Sequence, residues 1–178
     1  FGRFDILVND AAYNIAIPFP DLDSMTMEEW GKIIAINLTG PMRLMKAVAP
    51  VMKRQGRGRI VNISSVSGVG PTGSSIAYAG SKAALDTVSM SLARVLAPEV
   101  RVNVVAPGFV DTPWMVSGYG AERYAKLRDN YAGSAPLASV CKPEDVAQTI
   151  AWLVEGAGKT TGQIVYVDAG MHVATPRR

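Results

Sequence analysis

Tyr78 and Lys82 are two residues whose types and spacing could support proton transfer, in the run Tyr-Ala-Gly-Ser-Lys. Residues four apart on a helix project from one face, so the two side chains would be neighbours. A free tyrosine ionises near pH ~10 and is a poor base at neutral pH. An ammonium ~4 Å away contributes ~4 kcal/mol at an effective dielectric constant of ~20, or roughly three pKa units before desolvation opposes it. We therefore expect Lys82 to lower the pKa of Tyr78, so that the tyrosine exchanges protons near pH ~7.

Ser65 adds a third polar group to this pair. The spacing of Tyr78 and Lys82 alone is also compatible with a half-buried core tyrosine beside a surface lysine. Ser65 follows an apolar, β-type run and precedes Tyr78 across a loop rich in glycine and serine. The order of strand, serine, loop and helix favours a catalytic group over a chance pair.

The elements that must position these residues alternate between strand and helix. Each strand candidate is short, β-branched and almost continuously apolar, which is typical of a sheet covered on both faces. This alternation predicts a parallel α/β sheet. The strand candidates are Asp5 to Asn9, Arg59 to Ile63, Val100 to Ala106 and Gln163 to Val167.

Three helices are predicted between the strands. Thr26 and Glu29 have the spacing of a capping box at a helix start. A second helix runs from about Ile76 to Leu96, and a third begins at Pro143 and reaches Val154. The stretch from Pro107 to about Gly120 is predicted to be an irregular loop beyond the end of a strand, where open α/β sheets bind ligands.

Composition limits the class of protein. A chain of 178 residues, 48% hydrophobic and 19% charged, can form one soluble globular domain. The densest basic stretch, Lys53 to Arg59, has no interleaved aromatic residues, and the net charge is only +3, so we expect no nucleic-acid partner. No apolar run approaches the ~20 residues of a membrane span, and no signal peptide is found, so we expect no membrane partner. The single cysteine, Cys141, fits a reducing, cytoplasmic location.

The ordered set of Ser65, Tyr78 and Lys82 resembles the short-chain dehydrogenase/reductase family. The resemblance covers essentially the whole chain and includes four further segments. These are Asn9-Asp10-Ala11-Ala12, Asn37-Leu38, Pro107 to Thr112, and Thr161 to Gly170. Five ordered matches are more specific than any single one. The resemblance implies a Rossmann-type, doubly wound parallel sheet.

The resemblance also implies a role for each catalytic residue. Tyr78 would be the general acid/base, and Lys82 would lower its pKa while binding the nicotinamide ribose. Ser65 would hydrogen-bond the reacting oxygen. Asn37 would support a water relay to Lys82.

The implied cofactor is NAD or NADP, and the substrate is a small carbonyl or alcohol compound. We expect a lid over the substrate at about residues 114–131, and no metal site, because the lone His172 has no partner ligands. The predicted substrate residues are Ser65, Tyr78, Trp114, Met115 and Tyr119. The predicted cofactor-binding residues are Asn9, Asp10, Ala11, Ala12, Tyr78, Lys82, Pro107, Gly108, Val110 and Thr112.

Two substitutions and one missing segment set this sequence apart from the family pattern. Asp10 replaces a neutral asparagine, and Ala12 replaces a glycine. The family's Gly-rich phosphate-binding turn precedes the region that the sequence resembles. We therefore expect residues 1–178 to be a single, partial Rossmann-type domain whose first βαβ units lie upstream in the intact protein.

The predicted reaction is hydride transfer between a nicotinamide dinucleotide and a ketone or secondary alcohol. General resemblance to 3-oxoacyl carrier-protein reductases makes a 3-oxoacyl thioester the leading substrate. Alternatives are a sugar, polyol, steroid or small-alcohol dehydrogenase, a silent member that binds a dinucleotide or protein partner, and an inactive fragment. Family resemblance also implies a homo-oligomer, as a tetramer, through the helices that contain Met42 to Met52 and Ile76 to Leu96.

Overall fold

The computed structural model describes residues 2–70 and 72–174. Within these ranges the strands form one parallel sheet with the order β1-β2-β3-β4. Because all the strands are parallel, their carboxyl ends lie at one edge of the sheet, where ligands bind in open α/β folds. The strands are β1 (Ile6–Asn9), β2 (Gly58–Ile63), β3 (Val100–Pro107) and β4 (Ile164–Val167).

Helices connect the strands. A π-helical segment, Ala35–Thr39, joins α1 to α2, and 3-10 turns cover Val66–Gly68 and Met171–Val173. Over the described residues, no helix is both long enough and apolar enough to cross a membrane. The helices are α1 (Met27–Ile34), α2 (Gly40–Arg54), α3 (Ile76–Leu96), α4 (Pro113–Tyr119), α5 (Ala121–Ser134) and α6 (Pro143–Glu155).

Hydrophobic side chains cover both faces of the sheet. Ile60 and Val61 are successive residues of β2 and belong to different core clusters, since alternate strand residues point to opposite faces. On the Ile60 face, α2 contributes Met45 and α3 contributes Leu85. On the Val61 face, α6 contributes Leu153. Helices on both faces of a parallel sheet confirm the predicted doubly wound α/β class.

The predicted strands and helices are found with small shifts at their ends. The range of α3 is the predicted one, Ile76–Leu96. The Thr26 side chain accepts a hydrogen bond of 3.1 Å from the Glu29 backbone N–H, which is the predicted cap of α1. The third predicted helix is α6, whose C-cap is Gly156.

The prediction of an irregular loop from Pro107 to about Gly120 is wrong in its second half. Residues Pro113–Tyr119 form α4, because Pro113 suits the first turn of a helix and Thr112 precedes it in an extended conformation. Gly120 then separates α4 from α5 with φ +77°, a conformation that favours glycine. The predicted lid at residues 114–131 therefore consists of two helices. A longer stretch without strand or helix lies at residues 10–26, between β1 and α1.

Candidate active site

Helix α3 carries both Tyr78 and Lys82 on the face that it turns toward the sheet. The helix begins at Ser75, whose side chain accepts a hydrogen bond of 3.2 Å from the Tyr78 backbone N–H. Ser81, Lys82 and Leu85 are all buried along this face. Tyr78 therefore lies in the first turn and Lys82 in the second, and packing of the helix against β3 fixes both positions.

Lys82 is a buried cation, with 2% of its surface exposed. Its Nζ donates a hydrogen bond of 2.7 Å to the carbonyl oxygen of Ile63, at the end of β2. The same Nζ lies 5.6 Å from the centre of the Tyr78 ring. Burial lowers the pKa of Lys82 to about 8, and the carboxylates of Asp10 and Asp86 partly oppose that effect.

Ser65 lies where β2 ends and the 3-10 turn begins. Its backbone is extended, and its Oγ accepts a hydrogen bond of 3.2 Å from the Ser67 backbone N–H. Interaction with Ser65 also lowers the pKa of Tyr78 in part. The turn thus places Ser65 at the cavity that Tyr78 also lines.

The expected direction of the Tyr78 pKa is wrong for the free chain. Desolvation raises this pKa to about 12, and the interaction with Ser65 opposes the rise only in part. The Lys82 ammonium is directed at the Ile63 carbonyl, so its attraction for a phenolate does not overcome the cost of burying that charge. Tyr78 is therefore a protonated acid at neutral pH.

The three side chains open on one cavity of about 620 Å³ at the carboxyl ends of the strands. This is the edge where the topology of a parallel sheet leads us to expect a ligand. Most of the predicted site residues meet there. The predicted residues that line the cavity are Asp10, Ala11, Ala12, Ser65, Tyr78, Lys82, Pro107, Gly108, Val110, Thr112, Trp114 and Met115.

Three predicted residues do not line the cavity: Asn9, Asn37 and Tyr119. Asn9 is buried, and its Nδ2 donates a hydrogen bond of 2.7 Å to Oδ1 of Asn62 on the neighbouring strand. Asn9 therefore supports the sheet beneath the cavity. Tyr119 is the last residue of α4, and its charge raises the pKa of Tyr78 less than burial does.

Asn37 joins the loop after β1 to α3. Its Oδ1 accepts a hydrogen bond of 2.8 Å from the Tyr13 backbone N–H, and its Nδ2 donates one of 2.9 Å to the Tyr13 carbonyl. The same Nδ2 lies 3.1 Å from the Ser81 hydroxyl, next to Lys82 in sequence. The π-helical segment turns Asn37 inward, and Pro41 four residues later has no N–H to donate to the Asn37 carbonyl. This is the residue to which the resemblance assigns a water relay.

The Pro107 to Thr112 segment, to which the resemblance assigns cofactor binding, brings polar groups to the cavity. Val110 and Cys141 form an isolated parallel bridge. The Cys141 N–H donates to the Phe109 carbonyl, and the Asp111 N–H donates to the Cys141 carbonyl. The N–H and C=O of Val110 itself consequently point away from Cys141, and Val110 lines the cavity. Thr112 precedes α4, and no helix-cap hydrogen bond engages its hydroxyl.

Glycine is required within the same segment. A Cβ atom at Gly108 would collide with the Tyr131 hydroxyl and lie 2.8 Å from the Asp168 Cβ. Tyr131 donates a hydrogen bond of 2.9 Å to the Asp168 carbonyl, and Tyr124 donates one to the Asp111 carboxylate. These contacts anchor α5 to the loop and to the end of β4.

Two groups of residues at the site were not predicted from the sequence. One is the face of α6 that lines the cavity, formed by Pro143, Val146, Ala147 and Ile150. These residues recur at helical spacing, but the same periodicity marks any core-facing helix, so the pattern could not separate lining from packing. The other is Asp86, a buried carboxylate one turn after Lys82, for which its four-residue spacing from Lys82 on the same helix was the available signal.

His172 and Cys141 lie outside this arrangement. His172, which was expected to lack partner ligands for a metal, has its Nδ1 2.9 Å from Asp168 Oδ2, and its ring stacks on Tyr166 at 4.4 Å. Cys141 is buried, and its Sγ lies 3.2 Å from the Val167 carbonyl. Burial raises the pKa of the Cys141 thiol, which leaves it a poor nucleophile.

Comparisons with known proteins agree with this geometry. Residues 1–172 match the family model described as "Enoyl-(Acyl carrier protein) reductase". The short-chain reductase protein NovJ of Streptomyces niveus is 40% identical, over 96% of this chain and 65% of that protein. The 3-oxoacyl-[acyl-carrier-protein] reductase FabG of Thermotoga maritima is 36% identical, over 96% of this chain and 67% of that protein.

Solved structures lead to the same family. A gluconate 5-dehydrogenase from Burkholderia cenocepacia, in complex with NADP and tartrate, superimposes with a TM-score of 0.88 and 26% identity. That match covers 98% of this chain and 67% of the other. The chain thus spans about two thirds of the length of these relatives. It belongs to the short-chain dehydrogenase/reductase family, whose members are oxidoreductases that use NAD or NADP.

Proposed function

We propose that the intact protein reduces a ketone to a secondary alcohol with NADH or NADPH, with 3-oxoacyl thioesters as the leading substrate class. The observation that carries this proposal is that Ser65, Tyr78 and Lys82 line one cavity at the carboxyl ends of the strands. A pKa of about 12 keeps the proton on Tyr78 at neutral pH, which is the state that donates to a carbonyl oxygen.

The residues of this chain manage the proton. Ser65 donates a hydrogen bond to the substrate carbonyl oxygen and orients it toward Tyr78. Tyr78 then transfers its proton to that oxygen while the carbonyl carbon receives a hydride, which gives a secondary alcohol and an oxidised nicotinamide. The Lys82 ammonium beside the ring stabilises the phenolate that remains.

The cofactor, when bound, supplies the hydride. Lys82 would bind its ribose, and Val110 and Thr112 would bind the carboxamide through the backbone groups and the hydroxyl that face the cavity. Asp10 also lines this cavity. A carboxylate at this position disfavours a ligand phosphate nearby, so the phosphates must pass on another side.

Apolar side chains support a thioester with an acyl chain as substrate. Trp114 and Met115 from α4 face the same cavity as Val146 and Ile150 from α6. Such walls bury hydrocarbon, whereas a polyol needs many hydrogen-bonding partners. Relatives also support this class, because NovJ and FabG are both named as reductases, the latter of 3-oxoacyl groups on acyl carrier protein.

A sugar-acid dehydrogenase is the second candidate. It is favoured by the likeness to a gluconate 5-dehydrogenase and by the polar side chains of Asp10 and Thr112 in the cavity wall.

A homotetramer remains part of the proposal. It is supported by side chains that α2 and α3 leave exposed, with Leu44 at 51% and Val95 at 62%.

The domain boundary is also a proposal. In the described residues β1 is an edge strand, with Ile6 45% exposed and Val8 39% exposed. Apolar residues on an unpaired edge favour further strands beside β1 in the intact protein. This supports the expectation that residues 1–178 are part of a larger Rossmann-type domain.

A substrate panel tests the proposed function. The intact protein would be assayed with NADH and NADPH against 3-oxoacyl thioesters, keto sugar acids and ketosteroids, with loss of reduced nicotinamide as the readout. We expect the highest kcat/KM with a 3-oxoacyl thioester. A preference for a sugar acid would favour the second candidate, and no turnover with any ketone would overturn the proposal.

A further inference from the structure

Asp86 is a buried carboxylate to which the proposed reaction assigns no role. Its side chain is on α3, one turn after Lys82, and 4% of the residue is exposed. Neither carboxylate oxygen has a hydrogen-bond partner that meets ordinary geometry among the described residues. Residues four apart share a helix face, so the carboxylate and the Lys82 ammonium belong to one buried surface.

The carboxylate also lies against the turn that presents Ser65. A Cβ atom added at Gly68 would be 2.9 Å from Asp86 Oδ2 and 3.1 Å from the Lys82 carbonyl carbon. Gly68 ends the 3-10 turn that begins after Ser65. Asp86 therefore fills the space between α3 and that turn, and only glycine at position 68 permits the approach.

A buried charge without a partner is strongly unfavourable, so Asp86 needs a compensating group. Burial raises the pKa of Asp86, whereas the Ser64 hydroxyl and the Lys82 charge lower it. The Ser64 hydroxyl also donates a hydrogen bond of 3.4 Å to the Lys82 carbonyl, so it does not serve Asp86 alone. Lys82, one turn earlier on the same helix, is the cation whose charge favours the ionised carboxylate, although no direct ion pair joins the two side chains.

Lys82 has charged or titratable neighbours on three sides. Asp10 follows β1 and lines the cavity, Tyr78 lies one turn earlier on α3, and the buried Asp86 lies one turn later on α3. Asp10 is exposed, so solvent ions screen its charge. Asp86 is shielded from solvent, so its attraction for the ammonium persists at ordinary ionic strength.

We propose that Asp86 is a positioning residue, whose buried carboxylate favours the charged form of Lys82, which donates to the Ile63 carbonyl at the cavity. The inference rests on the proposed function, because that function gives the Lys82 charge its role in catalysis. The electrostatic pair itself can be measured without turnover. Asp86 acts through Lys82 and contacts neither substrate nor cofactor.

Side-chain NMR of Lys82 in the intact protein tests the pair. We expect Asp86→Asn to shift the titration midpoint of Lys82 downward by about one pH unit, because an opposite charge is removed. Asp86→Glu should recover most of that shift. Asp129→Asn is the matched control, because Asp129 is an exposed carboxylate ion-paired with Arg128 on α5. A Lys82 midpoint that is the same in wild type and Asp86→Asn would overturn the proposal.

A second measurement uses the wild-type protein, whose folding no substitution can disturb. The NMR chemical shift of the Asp86 carboxyl carbon should change over the pH range in which Lys82 titrates. A chemical shift that stays constant over that range would count against the pair. In kinetic assays the alkaline limb of the pH profile should move down with the NMR midpoint in Asp86→Asn. A shifted midpoint in a protein without ketone reductase activity would refute the proposed function and leave the pair intact.

Discussion

Helices α3 and α4 border the same cavity but differ in how they are held. α3 has eight buried residues along its length, and the reacting groups Tyr78 and Lys82 lie on it. α4 has no buried residue, and Trp114 is 53% exposed although it lines the cavity. One wall of the site is thus part of the core, and the other contributes no buried residue to it.

This difference indicates that α3 serves proton transfer and that α4 serves substrate choice. Proton transfer needs reacting atoms held within fractions of an ångström, which a core helix provides. Segments that open and close belong to the least stable parts of a protein. We therefore expect changes on α3 to affect chemistry or global stability, and changes on α4 to affect substrate choice.

The largest effect is expected from Tyr78→Phe, which removes the proton donor and little contact area. Turnover should fall by about 10²–10⁴-fold, the usual contribution of a positioned acid. Cofactor affinity, measured by fluorescence titration, should be nearly unchanged. Tyr166→Phe is the control, because Tyr166 lies on β4 and stacks on His172 away from the cavity. Near wild-type turnover in Tyr78→Phe would refute the proposed acid.

Lys82→Ala should reduce both turnover and cofactor affinity. Loss of a charged hydrogen-bonding group costs about 1.5–3 kcal/mol, so binding should weaken roughly tenfold to a hundredfold. Titration of reduced nicotinamide into the variant measures the binding part. Retention of full affinity would show that the lysine acts only on Tyr78.

A pair of truncations compares the stability of the two walls. Leu85→Ala removes a side chain that is 1% exposed and should lower the free energy of unfolding by about 2–5 kcal/mol. Val116→Ala on α4, where the valine is 37% exposed, should change it by less than about 0.5 kcal/mol. Urea unfolding of both variants provides the values, and equal losses would contradict the contrast between the helices.

The pH dependence should separate activity from stability. Because the pKa of Lys82 is lowered from 10.5 to about 8, the folded chain loses this proton at lower pH than the unfolded chain. Above that lower value cofactor binding should weaken, since the ammonium is lost. Between the two values the unfolded state binds more protons, so Lys82 alone makes the free energy of unfolding rise with pH. Comparing wild type with Lys82→Met by urea unfolding isolates the contribution, and opposite trends in binding and stability are expected.

The smallest effect is expected from Trp114→Ala. Trp114 is half exposed, so its loss should cost a substrate about 1 kcal/mol, or roughly fivefold in KM. The change should differ between long and short acyl chains, while cofactor affinity stays constant. An equal change in KM for all substrates would argue against a selecting role for α4.

Much of the fold was predictable from sequence because the strands are short, apolar and bounded by clear caps. The sequence predicted the range of α3 correctly, and it allowed Tyr78 and Lys82 on that helix to be grouped with Ser65. The helical nature of α4 was missed because Gly118 and Gly120 indicate a loop, whereas Pro113 fixes the first turn. The direction of the Tyr78 pKa was missed because desolvation depends on packing that spacing does not reveal.

The most direct test of the account follows the transferred hydrogen. The intact protein would convert a 3-oxoacyl thioester with a reduced nicotinamide cofactor that carries deuterium at both positions of its reactive carbon. We predict one deuterium at the carbinol carbon of each product molecule in the wild type, and almost no product with Tyr78→Phe. Product without deuterium, or undiminished formation of labelled product by Tyr78→Phe, would contradict a hydride transfer that depends on the Tyr78 proton.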